Sequence, residues 1–190
     1  IRDSIGSNLA NAFLRFRAKV TVVFCEASQK GILNHDLTQI NHNFEKGPCD
    51  QIMKNDYDFV INCSGYIDHS DYLTNGPAII KNQLFVLFNI IESLKNQKLK
   101  KFIQIGSSDE YGHNIAPQIE SQRESPYTPY GFAKTASTHF IQMLSRNIDF
   151  SAIVLRPFLL YGPGQKMNRL IPYAVTNCLN KNLSLIHISE

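Results

Sequence analysis

The chain has 190 residues, 43% of them hydrophobic, so it can bury one sizeable core and is expected to form one domain rather than two. Its 19 basic and 16 acidic residues leave a net charge of +3. The basic residues are scattered, which argues against a nucleic-acid partner, and no apolar run approaches the roughly 20 residues that span a bilayer, so no membrane partner is expected.

Four cysteines, at positions 25, 49, 63 and 178, lack Cys-x-x-Cys spacing, which favours reduced thiols in a cytoplasmic protein. The first residues do not have the pattern of a secretory signal peptide. The six histidines show no i, i+4 pair around a glutamate, so we expect no metal site. Walker A and Gly-x-Ser-x-Gly motifs are absent as well, which leaves phosphoryl transfer and serine-hydrolase chemistry without support.

Helical and strand signals alternate along the chain. In chain order, the predicted elements are a helix over 6–17, a strand over 19–24, a short strand from Ile32 to Leu37, a helix near 48–55, a strand over 58–63, a helix over 78–94, a strand over 101–106, a helix over 129–147, a strand over 151–156 and a helix over 168–180. Strands separated by helices favour a parallel sheet with right-handed crossovers. The predicted fold class is therefore α/β with a doubly wound sheet.

A tyrosine and a lysine lie four residues apart in one predicted helix. Thr128 and Pro129 are typical of an N-cap and a first helical turn, which places Tyr130 and Lys134 on one face at the start of the helix. An unperturbed phenol has a pKa of about 10, and a fixed cation nearby favours the phenolate, which makes proton transfer feasible. Ser107 follows a predicted strand and would offer a hydroxyl to the same substrate oxygen. Taken alone, the Tyr-x-x-x-Lys pattern also occurs on ordinary helix faces.

Three motifs together resemble the extended short-chain dehydrogenase/reductase family that acts on nucleotide-activated sugars. They are Gly106-Ser107-Ser108 with Tyr111-Gly112, the segment from Ser125 to Lys134, and the segment from Leu155 to Gly164. The resemblance implies a Rossmann-like fold and an NAD(P)-dependent epimerase, dehydratase or ketoreductase. By this resemblance Tyr130 is the acid/base at the sugar C4 oxygen, Lys134 holds the nicotinamide ribose and tunes the tyrosine, and Ser107 hydrogen-bonds the same oxygen.

The resemblance also implies a set of cofactor contacts along the chain. The implied positions are Ile5 and Gly6 at the pyrophosphate helix, Asp36 and Leu37 at the adenine, Cys63, Ser64 and Gly65 at the adenine ribose and pyrophosphate, Asn82 in the central cofactor region, and Tyr130, Lys134 and Pro157. Asp36 could instead cap a turn, and Asn82 could be a solvated helix residue. The segment Phe24-Cys25-Glu26 matches neither the NAD nor the NADP pattern cleanly, so the cofactor is NAD or NADP.

Both ends look incomplete beside that family. Only the last glycine of a Gly-x-x-Gly-x-x-Gly phosphate loop is present, as Gly6, with Asp3 three residues before it. We expect the first strand and the first glycine to precede residue 1; an altered phosphate loop is the alternative. Residues 183–190 resemble the translation of a transposon adaptor used in preparing DNA libraries, and we expect them to be a non-native tail. The expected domain is then 1–182, an NAD(P)-binding domain that lacks its first strand and most of the substrate lobe and is inactive alone.

The reaction type stays open at this point. Asp109 stands where 4,6-dehydratases of the family mostly carry a glutamate that abstracts the C5 proton, and its shorter arm favours an epimerase or a 4-ketoreductase. The Ser-Ser-x-Glu-Tyr-Gly motif is most similar to reductases of 4-keto-6-deoxyhexoses. A 4,6-dehydratase is one alternative, and a non-catalytic NAD(P)-binding module is another. The expected partners are a nucleotide-sugar substrate and, in the full-length protein, a second copy in a homodimer.

Overall fold

A computed structural model of the chain describes residues 4–24, 36–65, 67–162, 165, 167 and 169–180. Within these ranges, helices alternate with short strands. In chain order the elements are α1 (Ser4–Arg15), β1 (Thr21–Phe24), β2 (Thr38–Asn41), α2 (Asp50–Met53), β3 (Phe59–Asn62), α3 (Tyr72–Leu94), β4 (Lys101–Ile105), a 3-10 turn (Ser108–Glu110), α4 (Pro129–Asn147), β5 (Ala152–Leu155) and α5 (Leu170–Leu179).

All strand pairings in the described residues are parallel. β1 pairs with β2, from Thr21 opposite Thr38 to Phe24 opposite Asn41. β4 lies between β3 and β5 in a second sheet. Within the described ranges no strand joins β1 to β3. Parallel strands connected through helices confirm the predicted α/β class, and a first strand that precedes residue 1 stays a prediction.

One apolar core receives side chains from strands of both sheets and from the helices between them. Its buried members are Ile40, Cys49, Ile52, Leu87, Ile90, Leu94, Phe102 and Ile141. Phe102 of β4 is fully buried at the centre of the three-stranded sheet. A smaller cluster packs α1 against β1, and its buried members are Ala10, Val22, Phe24 and Leu37. These two clusters hold the strands whose carboxyl ends carry the candidate site.

The predicted helix over 129–147 is confirmed at both ends. Its beginning is marked by a side-chain N-cap. The Thr128 hydroxyl accepts a hydrogen bond from the Gly131 N–H at 3.0 Å. α3 begins six residues earlier than predicted, at Tyr72, with the Asp71 carboxylate accepting from the Thr74 N–H at 2.7 Å. Pro77 lies inside the helix, in its second turn, where it removes one backbone hydrogen-bond donor.

The chain divides into two compact units, Ile1–Phe158 and Leu159–Glu190. Every predicted site residue belongs to the first unit, and α5 belongs to the second. The predicted tail, 183–190, lies outside the described residues, as do most of the predicted strand Ile32–Leu37 and the Cys25-Glu26 part of the cofactor-choice motif. In the part of the chain that the structure describes, no helix has the length and apolar character needed to cross a bilayer.

Candidate active site

Lys134 connects the helix of the candidate site to the central strand. Its side chain is buried, with 4% of the residue surface exposed, and Nζ donates a hydrogen bond to the carbonyl oxygen of Ile105 at 3.1 Å. Ile105 is the last residue of β4 and lies two residues before Ser107. Because a buried ammonium is costly unless it is hydrogen-bonded, this contact fixes α4 against the carboxyl end of β4.

Tyr130 lies one turn before Lys134 on the same buried side of α4. Only 6% of Tyr130 is exposed, and the Lys134 ammonium lies 5.8 Å from the centre of its ring. Gly131 allows this turn of the helix to come close to the 3-10 turn, because a Cβ at Gly131 would lie 2.8 Å from the carbonyl oxygen of Asp109. The predicted pairing of the tyrosine with the lysine is therefore present in the fold.

Ser107 follows β4 and is the N-cap of the 3-10 turn. Its Oγ accepts a hydrogen bond from the Asp109 N–H at 3.2 Å, and its own N–H donates to Glu110 Oε1 at 2.9 Å. The bond to Oγ uses an acceptor lone pair, so the hydroxyl proton of Ser107 remains for donation to a substrate oxygen. Ser107 is half-buried, and its bond to a substrate oxygen stays a prediction.

His69 is a site residue that the sequence reasoning missed. Its ring meets the Tyr130 ring edge to face, with ring centres 5.7 Å apart, and its Nδ1 lies 3.5 Å from Asp109 Oδ2. The loop after β3 and the 3-10 turn after β4 therefore meet beside the tyrosine. A single histidine in a loop has no periodic signal, so only the tertiary contact reveals it.

Glu110, next to Asp109 in sequence, has a different environment. It is fully buried and contacts Thr138 of α4 and Arg156, which follows β5. Burial raises the pKa of the Glu110 carboxyl above its ordinary value, although its hydrogen-bond donors and the Arg156 charge act in the opposite direction. The two neighbouring carboxylates thus differ in role, since Asp109 lies beside the tyrosine and Glu110 lies inside the protein.

The turn after β3 is held by buried amides. Asn62 Nδ2 donates to Gln104 Oε1 at 2.9 Å, and Asn62 Oδ1 accepts from the Ser64 N–H at 2.9 Å. Cys63 and Ser64 are half-buried, and Gly65 has φ +107°, a conformation that favours glycine. This rigid turn lies at the carboxyl end of β3, where ligands of open α/β sheets bind.

Two further predicted positions lie near these strand ends. A Cβ at Gly65 would collide with the side chain of Gln83, so α3 passes this turn at the level of the neighbouring, half-buried Asn82. Pro157 follows β5, and its carbonyl oxygen accepts a hydrogen bond from the Ser108 N–H at 3.1 Å. The ends of β4 and β5 are thereby joined beside Ser107.

Asp36 and Leu37 lie at the amino-terminal end of β2, opposite to the carboxyl ends of the strands. This position does not support the adenine contact expected of them. Both precede β2, and the Thr38 N–H donates to the carbonyl oxygen of Val20, just before β1, at 3.1 Å. Leu37 is 5% exposed and belongs to the smaller apolar cluster. The strand β2 itself was not predicted, because Ile40 is its only strongly apolar residue and has polar neighbours.

Predicted cofactor positions in α1 and α4 carry donor groups of the kind that bind a dinucleotide. Ile5 and the buried Gly6 lie in the first turn of α1, which contains no acidic residue, and N–H groups at a helix N-terminus bind phosphate. The Lys134 ammonium adds a cationic donor suited to a ribose, whereas the Ser64 N–H is already bonded to Asn62 Oδ1.

A sequence model of the NAD dependent epimerase/dehydratase family matches residues 2–189. The chain belongs to this family. Membership confirms the predicted extended short-chain dehydrogenase/reductase relationship. It also confirms the dinucleotide cofactor at the level of the family, whose members depend on NAD.

Relatives of known identity are consistent with family membership. A dTDP-D-glucose 4,6-dehydratase from Dictyostelium discoideum is 24% identical over 170 residues, which cover 80% of this chain and 39% of the relative. The UDP-glucuronic acid 4-epimerase from Bacillus cereus, solved with UDP-glucuronic acid and NAD, matches with a TM-score of 0.81 at 22% identity over 94% of this chain and 61% of that chain. The UDP-N-acetylglucosamine 4-epimerase from Methanobrevibacter ruminantium M1 matches with a TM-score of 0.82 at 25% identity over 93% and 60%.

These likenesses confirm the doubly wound, Rossmann-like fold of the family. The chain spans less than half the length of the dehydratase relative and about three fifths of the length of the two solved epimerases, at 39%, 61% and 60% respectively.

Proposed function

We propose that the intact protein is an NAD(P)-dependent epimerase or 4-ketoreductase that acts at the C4 oxygen of a nucleotide-linked sugar. The observation that carries the proposal is the bond from Lys134 to the carbonyl of Ile105, because it brings the helix of Tyr130 to the strand end of Ser107. Family membership supports the reaction class. The nucleotide-sugar enzymes among its relatives support the class of substrate.

Each of the three residues has a distinct task in this proposal. Tyr130 accepts the C4 hydroxyl proton when the sugar is oxidised and returns a proton to the C4 oxygen when a 4-keto group is reduced. Ser107 donates its hydroxyl hydrogen bond to that oxygen and so orients it. Lys134 places a positive charge beside the phenol, which stabilises the phenolate formed when the tyrosine has given up its proton.

The cofactor would be held by Ile5, Gly6, Ser64, Asn82 and Lys134, with Cys63, Gly65, Tyr130 and Pro157 beside them. Bound NAD(P) supplies the hydride acceptor or donor. Backbone N–H groups at the start of α1 would bind and orient the cofactor, the turn after β3 would lie beside it, and Lys134 would hold the ribose.

A 4,6-dehydratase is a second candidate, which the pair of Asp109 and His69 favours. Dehydration needs a base for a carbon-bound proton, and the Asp109 carboxylate lies 3.5 Å from His69, whose ring also contacts the Tyr130 ring. The dehydratase relative at 24% identity agrees with this candidate. The epimerase or ketoreductase assignment is preferred because it requires no reach from the short Asp109 side chain.

We also propose that the intact protein forms a homodimer through α3 and α4. Phe85 and Phe88 of α3 and Met143 of α4 are exposed, and the Phe88 ring meets Phe140 of α4 with ring centres 4.7 Å apart. An exposed apolar patch that crosses two packed helices is typical of a protein interface. Sedimentation of the parent and of Phe88→Glu at equal concentration tests this proposal, with a dimer and a monomer expected respectively.

A cytoplasmic location without a nucleic-acid partner is proposed as well. Cys49 and Cys178 are free thiols, as expected in a reducing compartment. The small net charge of +3 gives little attraction to a phosphate backbone.

A substrate panel tests the proposed function. The intact protein would be incubated with nucleotide-linked hexoses and 4-keto-6-deoxyhexoses, with NAD(H) or NADP(H), and products followed by mass spectrometry and NMR. Inversion at C4 identifies an epimerase, reduction at C4 a ketoreductase, and loss of water a dehydratase. Dinucleotide binding without turnover of any member of the panel would contradict the proposed function.

A further inference from the structure

Glu110 is fully buried, although acidic side chains are almost never fully buried without partners. Its Oε1 accepts a hydrogen bond from the Ser107 N–H at 2.9 Å. Its Oε2 accepts from Thr138 Oγ1 and from Arg156 Nε, each at 2.8 Å. Both oxygens of the carboxylate are therefore engaged.

The three partners of this carboxylate come from three elements. Ser107 follows β4, Thr138 lies in α4 one turn beyond Lys134, and Arg156 follows β5. One side chain thus joins the strand end that carries the candidate serine to the helix that carries the tyrosine and the lysine. Its bond to the serine is to the backbone, so it fixes where the residue lies while the hydroxyl remains available to substrate.

The backbone beside Ser107 is shaped to admit Glu110. A Cβ at Gly106 would collide with Glu110 Oε1 and would also approach the carbonyl oxygen of Leu155 at 3.2 Å. The Gly106 N–H donates to that same carbonyl at 2.7 Å. The carboxylate therefore occupies a space that any other residue at position 106 would fill.

We propose that Glu110 is a positioning residue, which holds Ser107 relative to α4 so that the Ser107 hydroxyl and the Tyr130 phenol meet the same substrate oxygen. This inference rests on the proposed function for its effect on turnover. A displacement of about 1 Å at a reacting group can lower the rate about a hundredfold.

A purely structural explanation is that Glu110 only neutralises Arg156. Glu124 provides the matched comparison, because its carboxylate also accepts from Arg156, through Nη2, and its other contact is with His139 at 3.3 Å. Glu110→Gln keeps the side-chain shape but turns an amide N–H₂ toward partners that donate, and the Ser107 and Arg156 N–H groups cannot become acceptors. Glu124→Gln disturbs the same arginine from its other side.

A double-mutant cycle in the intact protein separates the two explanations. We expect Glu110→Gln to lower kcat about tenfold or more with the KM for NAD(P) unchanged, and Glu124→Gln to leave kcat within about twofold. In a Ser107→Ala background, Glu110→Gln should lower kcat less than about threefold, because the hydroxyl it positions is gone. The inference would be overturned if Glu110→Gln and Glu124→Gln lowered kcat equally. It would also be overturned if Glu110→Gln lowered kcat as much in the Ser107→Ala background as in the parent.

Two further measurements keep the inference testable if Glu110→Gln folds poorly or the parent turns over no sugar. Thr138→Val removes one partner at constant shape and should lower kcat with the same dependence on Ser107. Amide exchange of the Ser107 N–H needs no activity: it should accelerate at least about tenfold in Glu110→Gln and stay near the parent rate in Glu124→Gln. Unchanged exchange in Glu110→Gln would overturn the positioning role. If the parent turns over no sugar but the Ser107 N–H exchanges as expected in the two variants, the proposed function is contradicted and the positioning role of Glu110 is not.

Discussion

The Lys134 ammonium donates a 3.1 Å hydrogen bond to the carbonyl oxygen of Ile105, the last residue of the central strand β4. Through this bond the helix that carries Tyr130 is joined to the strand that ends beside Ser107. A second link, through Glu110, joins the same helix to the same strand end. The candidate site is therefore held by two buried ionisable side chains, Lys134 on α4 and Glu110 on the 3-10 turn after β4.

Lys134→Met should weaken both cofactor binding and turnover. Methionine keeps the length of the side chain but removes the ammonium, and hydrogen bonds from a charged group contribute about 1.5–3 kcal/mol, which corresponds to about tenfold to a hundredfold in affinity. Titration of the intact protein with NAD(P)H measures the dissociation constant. Lys95→Met, at the exposed end of α3, is the matched control and should bind like the parent. A Lys134→Met protein with parental affinity would remove the lysine from the cofactor site.

Asp109→Asn separates a dehydratase from an epimerase or ketoreductase. Asparagine cannot accept a proton from carbon, so dehydration should fall about a hundredfold or more, whereas C4 epimerisation or reduction should change only a few-fold. The control is Asp58→Asn, whose carboxylate pairs with Lys100 at the other end of the strands. Loss of C4 epimerisation in Asp109→Asn, with Asp58→Asn unaffected, would contradict the preferred assignment.

The two carboxylates that contact Arg156 should have opposite effects on stability as pH changes. Burial raises the pKa of Glu110 from 4.5, so the folded state binds more protons than the unfolded state between 4.5 and the raised value. The contribution of Glu110 to the free energy of unfolding therefore falls as pH rises through that window. Burial opposes the shift of Glu124, but hydrogen bonds from its own backbone N–H and from Arg156, with the charges of Arg156 and His139, lower its pKa.

Urea denaturation between pH 3 and pH 8 measures both effects. The free energy of unfolding of the parent minus that of Glu110→Gln should decrease as pH rises above 4.5. The same difference for Glu124→Gln should decrease as pH falls below 4.5, because the stabilisation by the ionised form is lost there. Parallel pH profiles for the two variants would show that the two environments are alike, contrary to the structure.

Gly112→Ala should destabilise the loop that follows the 3-10 turn. Gly112 has φ +56°, and a Cβ there would collide with the carbonyl of Ser125. A strained backbone conformation costs about 1–3 kcal/mol before the collision is counted, so the melting temperature should fall clearly. Gly162→Ala is the control, since a Cβ at Gly162 meets open space and surface changes stay within about 0.5 kcal/mol. Equal melting temperatures for the two variants would refute the steric explanation.

The sequence predicted α4 and its reactive face well, because Thr128 and Pro129 are local signals that the fold does not override. The start of α3 lies six residues before the predicted one, at a turn capped by Asp71. The strand β2 was not predicted because it has only four residues and little hydrophobic periodicity. Local patterns therefore located the elements with strong caps or long apolar faces.

The contacts of Glu110 and His69 could not be predicted from local patterns. Glu110 and Arg156 are 46 residues apart, and although each lies in a motif of its own, neither motif indicates that the two side chains meet. His69 contacts Asp109 across 40 residues of sequence, between two loops whose meeting depends on how α3 and β4 pack. Such contacts depend on tertiary packing.

The most direct test of the central claim is the turnover of Tyr130→Phe in the intact protein, measured beside Tyr127→Phe. Both changes remove one phenol oxygen and keep the ring, but Tyr127 is exposed and packs near His113, whereas Tyr130 is buried with the Lys134 ammonium 5.8 Å from its ring centre. We predict that Tyr130→Phe lowers turnover of the nucleotide sugar about a hundredfold or more, while NAD(P) affinity and the rate of Tyr127→Phe stay within about twofold of the parent. A Tyr130→Phe enzyme as fast as its parent would contradict the proposed proton transfer.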